Sequence, residues 1–572
     1  MPLPIQPARW VVPERNAEAE AKLQSELGVH SIVAALLAQR GFVDVEEANK
    51  FLNPSLDHLH DPKLLPDFRQ AADEILGAKE RGDLIFVHGD YDVDGVTSAA
   101  ILHRFLKSIG ANVETHVPHR MKEGYGIHGS AIDVAKQLGA KLFLTCDCGI
   151  SAHDRIEAAR EAGMRVVVTD HHSIGNSLPN AHAVVNPHRS DSNYPFAELS
   201  GAGVVFKLCA GIAAELGLPV DKYYRAFLDL AALGTVADVM PLHNENRVIA
   251  KYGLQRLADT KKVGLQALKQ VAGIKSPLAT YAISYQLGPR INAVGRLDDS
   301  GLALRLLLEN DFSAAMEIAQ SIEQFNVERK DAQKRMVDEA VEMVESRGLA
   351  DRFVIAVAHP EWHAGIVGLV AGRLVEKYRR PAFCFVLDEN HGLCRGSARS
   401  IPAFSVVDAI RAFPEFIQGG GHTMAAGCSF PAEHFDKVYD MLNQFAMSVL
   451  TPEDFVVAHQ ADLEVCAEDL SLKVMEELSL MEPFGEGNPE PVLICRELNL
   501  SGINPTRNPD HVQLVLRSGN GANVQGVGFN MGPRFAESKP GTIIDLLFQP
   551  KIEEFNGRRV KWHVKDFSER AV

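Results

Sequence analysis

The chain has 572 residues, more than one hydrophobic core usually organises, so we expect three or four domains. Hydrophobic residues make up 46% and charged residues 23% of the chain, ordinary values that exclude a mainly disordered or fibrous protein. The formal net charge of −16 argues mildly against a polyanionic partner, although charge can be segregated along a chain.

Residues 1–70 contain several prolines and a helical stretch around 32–37, and we interpret them as an N-terminal extension that packs on the first domain. From about residue 80 to 240, apolar strands alternate with helices, a pattern that predicts an α/β fold with a parallel sheet. The ligand site of such a sheet lies at the carboxyl ends of its strands. The predicted strands are 84–87, 113–117, 141–146, 165–170 and 183–188, with helices over 96–110 and 153–163.

A long helix is predicted over 305–346, because its apolar residues are spaced for one helix face. A second α/β unit follows, with a strand at 353–359, a helix at 364–378 and a strand at 381–387. From about residue 455, short strands predict a small all-β barrel or sandwich, with a hairpin turn at Asn556-Gly557.

We therefore expect an α/β multidomain protein. Its predicted parts are the extension 1–70, a parallel-sheet domain 71–300, a connecting long helix 301–348, a second α/β domain 349–452 and an OB-fold-like domain 453–572.

Ligand-capable side chains follow the first predicted strand, in HGDYDVDG (88–95). Asp90, Asp92 and Asp94 would lie on one side if this segment stays extended, with His88 before them. Carboxylates at this density repel one another and raise each other's pKa, and a divalent metal is the simplest compensation. A solvated acidic turn is the alternative, as is a calcium loop, although Ile101 stands where that loop needs a bidentate glutamate.

The later strands end on similar side chains, and these should meet at the same edge of the sheet. Mixed carboxylate and imidazole ligands suit Mn²⁺, and more carboxylates than one ion needs predict two ions, which activate water and hold a phosphoryl group. The additional candidates are Asp147 after 141–146, the triplet Asp170-His171-His172, and Asp238 in GTVADVMPL (234–242).

HGDYDVDG, the Asp147 strand end, the Asp-His-His triplet and GTVADVMPL resemble the four motifs of the DHH phosphoesterase superfamily. GGGH (419–422), after CRGSARS (394–400), resembles the substrate-binding domain associated with that superfamily. The resemblance covers nearly the whole chain, and the motifs are specific as an ordered set rather than singly. Three further segments make it closest to the bacterial single-stranded-DNA-specific exonucleases: RGFVDVEEANKFLNP (40–54), GPRINAVGR (288–296) and MEPFGEGNPEP (481–491).

This resemblance implies roles for individual residues. The implied metal ligands are His88, Asp92, Asp94, Asp147 as the bridging carboxylate, His171 and Asp238. The implied catalytic residues are Asp147, His171, His172 on the phosphate side and Asp170, which would orient a histidine. Asp90 matches the family without an assigned role and stays outside the ligand set. The implied contacts to phosphate and to the 5′ end are Arg373, Ser397, Arg399, Gly420, Gly421 and His422, with Arg395 as a further candidate and ordinary surface charge as the alternative for each arginine.

The implied reaction is hydrolysis of single-stranded DNA from the 5′ end, releasing 5′-mononucleotides with two Mn²⁺ or Mg²⁺ ions, in recombination, mismatch repair and other DNA repair. A DHH-family phosphoesterase acting on pyrophosphate, short oligonucleotides or cyclic dinucleotides is the alternative, but it needs only the two α/β domains. A non-catalytic single-strand-binding or scaffold protein is a second alternative, and it should have lost several ligands.

Basic residues explain how an acidic chain could hold DNA, because cations interleaved with aromatics are typical of a single-strand groove. Core packing is the alternative for most of these aromatics. The candidates are Arg329, Lys330, Lys334 and Arg335 in the long helix, and Arg517, Arg534, Lys551, Arg558, Arg559 and Lys561 with Phe548, Phe555, Trp562 and Phe567 in the tail.

The sequence also limits location and partners. No run approaches the ~18 uncharged apolar residues that span a bilayer, and the prolines and charges of MPLPIQPARWVVPERN do not fit a signal peptide. Eight scattered cysteines without a CxxC pair argue against a disulfide scaffold or a zinc site. We expect a cytoplasmic monomer that binds single-stranded DNA, and the resemblance suggests a single-strand-binding protein and a helicase as partners.

Overall fold

The structure is a computed structural model that describes residues 9–119, 123, 126–297, 301–388, 391–456, 458–554 and 557–570. Phe555 and Asn556, which belong to the predicted DNA-binding aromatics and to the predicted hairpin turn, lie outside the described residues. The chain divides into two compact units, one formed by 10–118, 125–288 and 459–572 and the other mainly by 289–458.

The N-terminal extension is helical. Asn16 begins its first helix and Asp44 its third, and each side chain accepts a backbone N–H of the first turn. The three helices share a hydrophobic core with the C-terminal barrel, whereas the backbone N–H of His60 donates to Glu245 of the parallel-sheet domain at 2.8 Å. The extension therefore contacts both domains and not only the predicted one. Its elements are β1 (Arg9–Val11), α1 (Ala17–Leu27), α2 (Ser31–Gln39) and α3 (Val45–Leu52).

A five-stranded parallel sheet follows, in the order β3-β2-β4-β5-β6, which confirms the predicted parallel sheet. The central strands are buried along almost their whole length, as strands covered by helices on both faces are. The elements are α4 (Phe68–Arg81), β2 (Leu84–Gly89), α5 (Val93–Ser108), β3 (Asn112–His116), α6 (Gly129–Gln137), β4 (Leu142–Cys146), α7 (His153–Glu161), β5 (Arg165–Thr169) and β6 (Ala183–Val185).

Helices complete this domain. Most residues of the next two helices are buried, and both helices pack against α5, which carries the acidic motif. They are α8 (Gly201–Glu215) and α9 (Val220–Ala237), followed by α10 (Asn244–Ala258), α11 (Val263–Val271), the single turn α12 (Thr280–Ala282) and a π-helical turn (Ile283–Leu287). Helix α13 (Gly288–Leu297) comes next, and from Pro289 the chain belongs to the second unit.

The second unit has a five-stranded sheet in the order β10-β11-β9-β8-β7, in which only β7 and β8 are parallel. The single helix predicted over 305–346 is wrong near its start, because the Asp311 side chain accepts the backbone N–H of Ala314 at 2.8 Å and begins a new helix. The elements are α14 (Gly301–Leu308), α15 (Phe312–Ser346), β7 (Ile355–His359), α16 (Val367–Tyr378), β8 (Ala382–Asp388), β9 (Leu393–Arg399), α17 (Val406–Arg411), β10 (Gln418–Gly421), β11 (Ala425–Pro431) and α18 (Phe435–Val449).

The C-terminal segment forms the predicted β-barrel. Its strand order is β13-β14-β15-β16-β18-β17, and pairing of β14 with β17 closes the sheet on itself. None of the helices in the described ranges has the length and apolar character that crossing a membrane requires. The elements are β12 (Ala458–Gln460), β13 (Leu463–Glu464), α19 (Leu472–Ser479), β14 (Leu493–Pro505), β15 (Val512–Arg517), β16 (Asn523–Gly528), β17 (Ile543–Glu553) and β18 (Arg559–Glu569).

Candidate metal centre

Three neighbouring strands deliver acidic and histidine side chains to one edge of the parallel sheet. Asp90 follows β2, Asp147 follows β4 and Asp170 follows β5. Asp147 has a φ of 59°, so the chain turns sharply as the strand ends. This placement agrees with the expectation that a parallel sheet collects its site at the carboxyl ends of its strands.

The acidic motif does not stay extended, and its carboxylates do not all share one side. Helix α5 begins at Val93, with Asp92 as its N-cap accepting the backbone N–H of Gly95 at 3.0 Å. Asp94 in the first turn accepts the backbone N–H groups of Gly201 at 2.6 Å and Ala202 at 2.9 Å. Asp92 therefore faces Asp90, whereas Asp94 is directed to the start of α8.

The candidate ligands converge in three groups, and within each group one ligand atom per residue lies within 4.8 Å of the others. Asp147 and His171 each belong to two groups, so the groups are continuous. The Nε2 atom of His171 lies 3.1 Å from Asp147 Oδ1, and 3.6 Å from Asp238 Oδ2. The groups are Asp90 with Asp92 and Asp147, Asp147 with His171 and His172, and Asp94 with His171 and Asp238.

Several of these atoms are buried without a hydrogen-bond partner. Asp90 Oδ1, Asp147 Oδ1 and His171 Nε2 make no hydrogen bond of acceptable geometry. A buried polar atom without a partner is destabilising, so this arrangement requires a compensating group. Oxygen and imidazole donors directed at one another fit divalent cations such as Mn²⁺ and Mg²⁺.

Burial and the neighbouring carboxylates together raise the pKa values of these acids. Burial, and then the charge of Asp92, raise the pKa of Asp90 to about 8 and that of Asp94 to about 7. Burial and the charge of Asp94 raise the pKa of Asp238 to about 8, and burial with the neighbouring aspartates raises the pKa of Asp147 well above its usual range. A bound cation would reverse these shifts, because it stabilises the ionised carboxylates.

The two histidines of the triplet have opposite electrostatic surroundings. Burial, and then the nearby His172, lower the pKa of His171 to about 4, so its ring is neutral as a ligand must be. Burial alone would lower the pKa of His172, but a hydrogen bond and the charge of Asp170 raise it to about 9. His172 is therefore a cation at neutral pH in the metal-free protein.

Asp170 supports the triplet from within the fold. Its Oδ1 accepts Nδ1–H of His172 at 2.7 Å, and its Oδ2 accepts the backbone N–H of Ile150 at 2.9 Å. Burial alone would raise the pKa of Asp170, but these hydrogen bonds and the charge of His172 hold it below its usual value. Asp170 thus holds the ring of His172, and its orienting role in catalysis stays a prediction.

His88 and Asp90 of the first motif differ in their relation to the three ligand groups. His88 belongs to none of the three groups found among the described residues, and its ring nitrogens lie 3.2 Å from His116 Nδ1 and 3.3 Å from Gly126 O. Its role as a ligand stays a prediction. Asp90, which the sequence analysis left outside the ligand set, does belong to a group. Because Asp90 directly follows β2, its place in a ligand group could have been predicted from the sequence.

Small residues that the sequence analysis did not consider allow the acids to approach the helices. A Cβ at Gly201 would lie 2.7 Å from Asp147 Oδ1, and a Cβ at Gly234 would contact Asp94 Oδ1. Side chains at these two positions would displace candidate ligands. These glycines could not be predicted, because a single sequence does not show which glycines pack against carboxylates far away in the chain.

The segment 481–491 lies against the chain that follows Asp238. The backbone N–H of Leu242 donates to Glu486 O at 2.7 Å. A Cβ at Gly485 would lie 2.6 Å from Leu242 Cδ1, and one at Gly487 would lie 3.1 Å from Pro241 Cβ. The loop thus packs against the residues that follow Asp238 at the end of α9.

Replacing Gly485 by valine is expected to weaken Mn²⁺ binding by about tenfold, because the added side chain displaces Leu242 and with it Asp238. Titration of the metal-free protein with Mn²⁺ measures this affinity directly. Gly519→Val is the matched control, since a Cβ at Gly519 would contact nothing within 4 Å. Equal Mn²⁺ affinity in both variants would contradict the role of this loop.

The predicted phosphate contacts of the second unit lie partly in one row of its sheet. Gly420 pairs with Gly427, and Gly427 pairs with Ser397, so these residues lie side by side across three strands. Arg399, two residues further along β9, shares the face of Ser397. Helix α16 begins over this face, because a Cβ at its Gly368 would lie 3.0 Å from a guanidinium nitrogen of Arg399.

The remaining predicted contacts are more dispersed. Gly421 has a φ of 145°, and a Cβ there would lie 2.5 Å from Ala425 O. His422 is exposed, and its backbone N–H donates to the same oxygen at 2.8 Å. Arg373 is exposed on α16 and pairs with Glu376 at 2.6 Å. Arg395 is exposed on β9.

Most of the predicted DNA-binding groups of the barrel have other partners. Phe548 and Trp562 are buried and stack with ring centroids 3.7 Å apart, so they form core. Phe567 stacks on Phe535. In the long helix, by contrast, Lys330, Lys334 and Arg335 are exposed. The paired barrel cations are Arg534 with Asp566, Lys551 with Glu490, Arg558 with Glu476, and Arg559 and Lys561 with Glu553.

An exposed aromatic that the sequence analysis missed lies at the end of β16. The Phe529 side chain is 51% exposed. The rings of His511 and His563 approach its ring edge-on, with centroids 5.2 Å and 5.4 Å away. This ring can accept a stacked base, unlike the buried aromatics of the barrel.

The chain resembles known proteins along nearly its whole length. Family models match three segments: the DHH family N-terminal domain at 84–235, the DHHA1 domain at 350–448 and the RecJ OB domain at 461–566. The single-stranded-DNA-specific exonuclease RecJ of Bacillus subtilis is 37% identical over 96% of this chain and 69% of its own length. The RecJ of Haemophilus influenzae is 31% identical over 96% of this chain and 98% of its own length.

A solved structure is similar over the same extent. The crystal structure of RecJ from Thermus thermophilus in complex with Mn²⁺ covers 99% of this chain and 80% of its own, with a TM-score of 0.82 and 29% sequence identity. The Mg²⁺ complex of that protein has a TM-score of 0.77.

Proposed function

The chain belongs to the RecJ family of single-stranded-DNA-specific exonucleases, and from this premise we propose that it is a metal-dependent hydrolase of single-stranded DNA. The observation that carries the proposal is the convergence of buried, unpartnered carboxylate and imidazole atoms at the carboxyl edge of the parallel sheet. Such a set of acids is compatible with a folded protein when divalent cations compensate it.

Different residues of the chain would bind the metal ions and the phosphate at this site. Asp92, Asp94, Asp147, His171 and Asp238 would hold two Mn²⁺ or Mg²⁺ ions, with Asp90 and His88 as further candidates. When bound, paired divalent ions lower the pKa of water and offset charge on a phosphoryl group. His172, held by Asp170, directs its ring to the site and can donate a hydrogen bond to a phosphate oxygen.

We propose that the second unit binds the 5′ end, which gives 5′→3′ direction and release of 5′-mononucleotides. Ser397 and Gly420 lie in one row, and Arg399 lies beside them under the first turn of α16. Arg373, Gly421 and His422 would complete the site. A guanidinium, a hydroxyl and exposed glycine amides together suit a terminal phosphate.

The barrel and the long helix are proposed to hold the rest of the strand, through Phe529 and the exposed lysines of α15. The division at 1–70, 71–300, 301–348, 349–452 and 453–572 is our proposal for the domains. We also propose a cytoplasmic monomer in DNA repair and recombination, acting with a single-strand-binding protein and a helicase. Its eight free cysteines suit a reducing compartment.

The test is a cleavage assay with single-stranded DNA labelled at either end. The proposal predicts that 5′-labelled strands release labelled mononucleotide at once, whereas 3′-labelled strands shorten progressively, and only with Mn²⁺ or Mg²⁺. Duplex DNA of the same sequence should be resistant. Exclusive cleavage of dinucleotides, or activity in excess chelator, would contradict the proposal.

A further inference from the structure

Two tyrosines expose their rings side by side. Tyr281 is 62% and Tyr285 is 68% exposed. Their ring centroids lie 4.8 Å apart with planes inclined by 26°, so they stack on each other. Two large rings in contact with water form an apolar surface whose faces can accept a further planar group.

Buried side chains hold the segment that carries the tyrosines in place. Ile283 and Leu287 are fully buried and alternate with the exposed rings. The hydroxyl of Thr280 donates to Phe484 O at 2.6 Å. The rings are therefore presented by a fixed backbone rather than by a flexible loop, and stacking on them requires little ordering.

The chain that carries the tyrosines continues to a residue beside the metal centre. Gly288 follows Tyr285 by three residues, and a Cβ at Gly288 would lie 3.8 Å from both Val93 Cγ2 and Ala237 Cβ. Val93 stands between two candidate ligands, and Ala237 precedes Asp238. Three residues of helical chain span about 5 Å. Tyr285 is thus about one helical turn away from Gly288, which packs against the chain neighbours of the candidate ligands.

The turn itself is unusual. The backbone N–H of Gly288 donates to Ile283 O across a π-helical turn, and a Cβ at Gly288 would lie 3.0 Å from that oxygen. Single π-helical turns interrupt helices at a cost in stability and occur frequently at functional sites. Here the turn joins the tyrosines to the residue that packs beside the metal centre.

We propose that Tyr281 and Tyr285 form a stacking site for a nucleobase of the single strand that extends from the metal centre. This inference rests on the proposed function. The bases of a single strand are unpaired, and stacking on aromatic rings binds any of them, as an exonuclease that meets every sequence requires. Stacking also needs no cation, which suits a chain with a net charge of −16.

The test measures the affinity of the full chain for a labelled single-stranded oligonucleotide, in an Asp147→Asn background that does not cleave it. Adding Tyr281→Ala and Tyr285→Ala together should weaken binding by about tenfold, whereas the two Phe substitutions should preserve it. The slope of log affinity against log salt should not change, because no phosphate contact is lost. Leu138→Ala, also an exposed apolar residue at 52%, is the matched control.

Oligonucleotides with one abasic position, moved along the strand, locate the stacked base. At one position the protein with both tyrosines should lose affinity, and the double alanine variant should lose none. Unchanged affinity of the alanine variant, or equal loss in the phenylalanine variant, would overturn the inference. If the wild-type protein does not degrade single-stranded DNA at all, the proposed function itself fails, which is a distinguishable outcome.

Discussion

Asp147→Asn is expected to abolish metal-dependent release of nucleotides and, at the same time, to stabilise the metal-free protein. Asp147 belongs to two of the three ligand groups, so the amide removes an anionic donor from both. Loss of such a donor should slow cleavage by at least about 1,000-fold, because metal ions contribute several kcal/mol to this chemistry. Cleavage of end-labelled single strands measures this loss.

The expected gain in stability of the metal-free protein comes from removal of a buried carboxylate that no cation compensates. Asp147 Oδ1 is buried without a partner, and burial and the other aspartates raise the pKa of Asp147. A neutral amide should raise the free energy of unfolding in chelator by about 1–3 kcal/mol. A raised pKa means that the folded wild-type protein binds the proton more tightly than the unfolded chain, so its stability falls as pH rises above about 4. The gain should therefore grow with pH and vanish below about pH 4.

Urea denaturation at several pH values, in excess chelator, measures this gain. Asp154→Asn is the control, because Asp154 lies on the exposed first turn of α7, outside the ligand groups. Cleavage at the wild-type rate by Asp147→Asn would contradict the metal assignment. Lower stability of the variant in chelator would contradict the electrostatic explanation.

Lys207→Ala is expected to destabilise the parallel-sheet domain by about 3–5 kcal/mol. Lys207 Nζ lies 2.7 Å from Glu245 Oε1, and both side chains are fully buried. Glu245 also accepts the hydroxyl of Tyr194 at 2.5 Å and the backbone N–H of His60 at 2.8 Å. The substitution leaves a buried carboxylate without its cation, which costs more than the pair itself contributes.

Urea denaturation of the full chain in Mn²⁺-free buffer checks this expectation. The double variant Lys207→Met, Glu245→Gln should be more stable than Lys207→Ala, because it buries no unpaired charge. Lys222→Ala, at an exposed lysine, should change stability by less than about 0.5 kcal/mol. A Lys207→Ala protein as stable as Lys222→Ala would contradict the stabilising role of this buried ion pair.

The strands and their terminal acids were predictable because a buried parallel strand is a short apolar run and its end is marked by the first polar residues. The direction of Asp94 was not, since it depends on α5 beginning at Val93 and on amides at the start of α8. The contact of Leu242 with Glu486 joins residues far apart in the chain, and periodicity carries no information about it. Burial of Trp562 in the barrel likewise depends on strand register.

The claim on which the account depends is that the converging acids and His171 hold two divalent cations. Equilibrium dialysis of the metal-free full chain against Mn²⁺ measures the number bound. We expect two bound Mn²⁺ ions per wild-type chain, and at most one in Asp147→Asn. Fewer than two in the wild-type chain, or two retained by the variant, would contradict it.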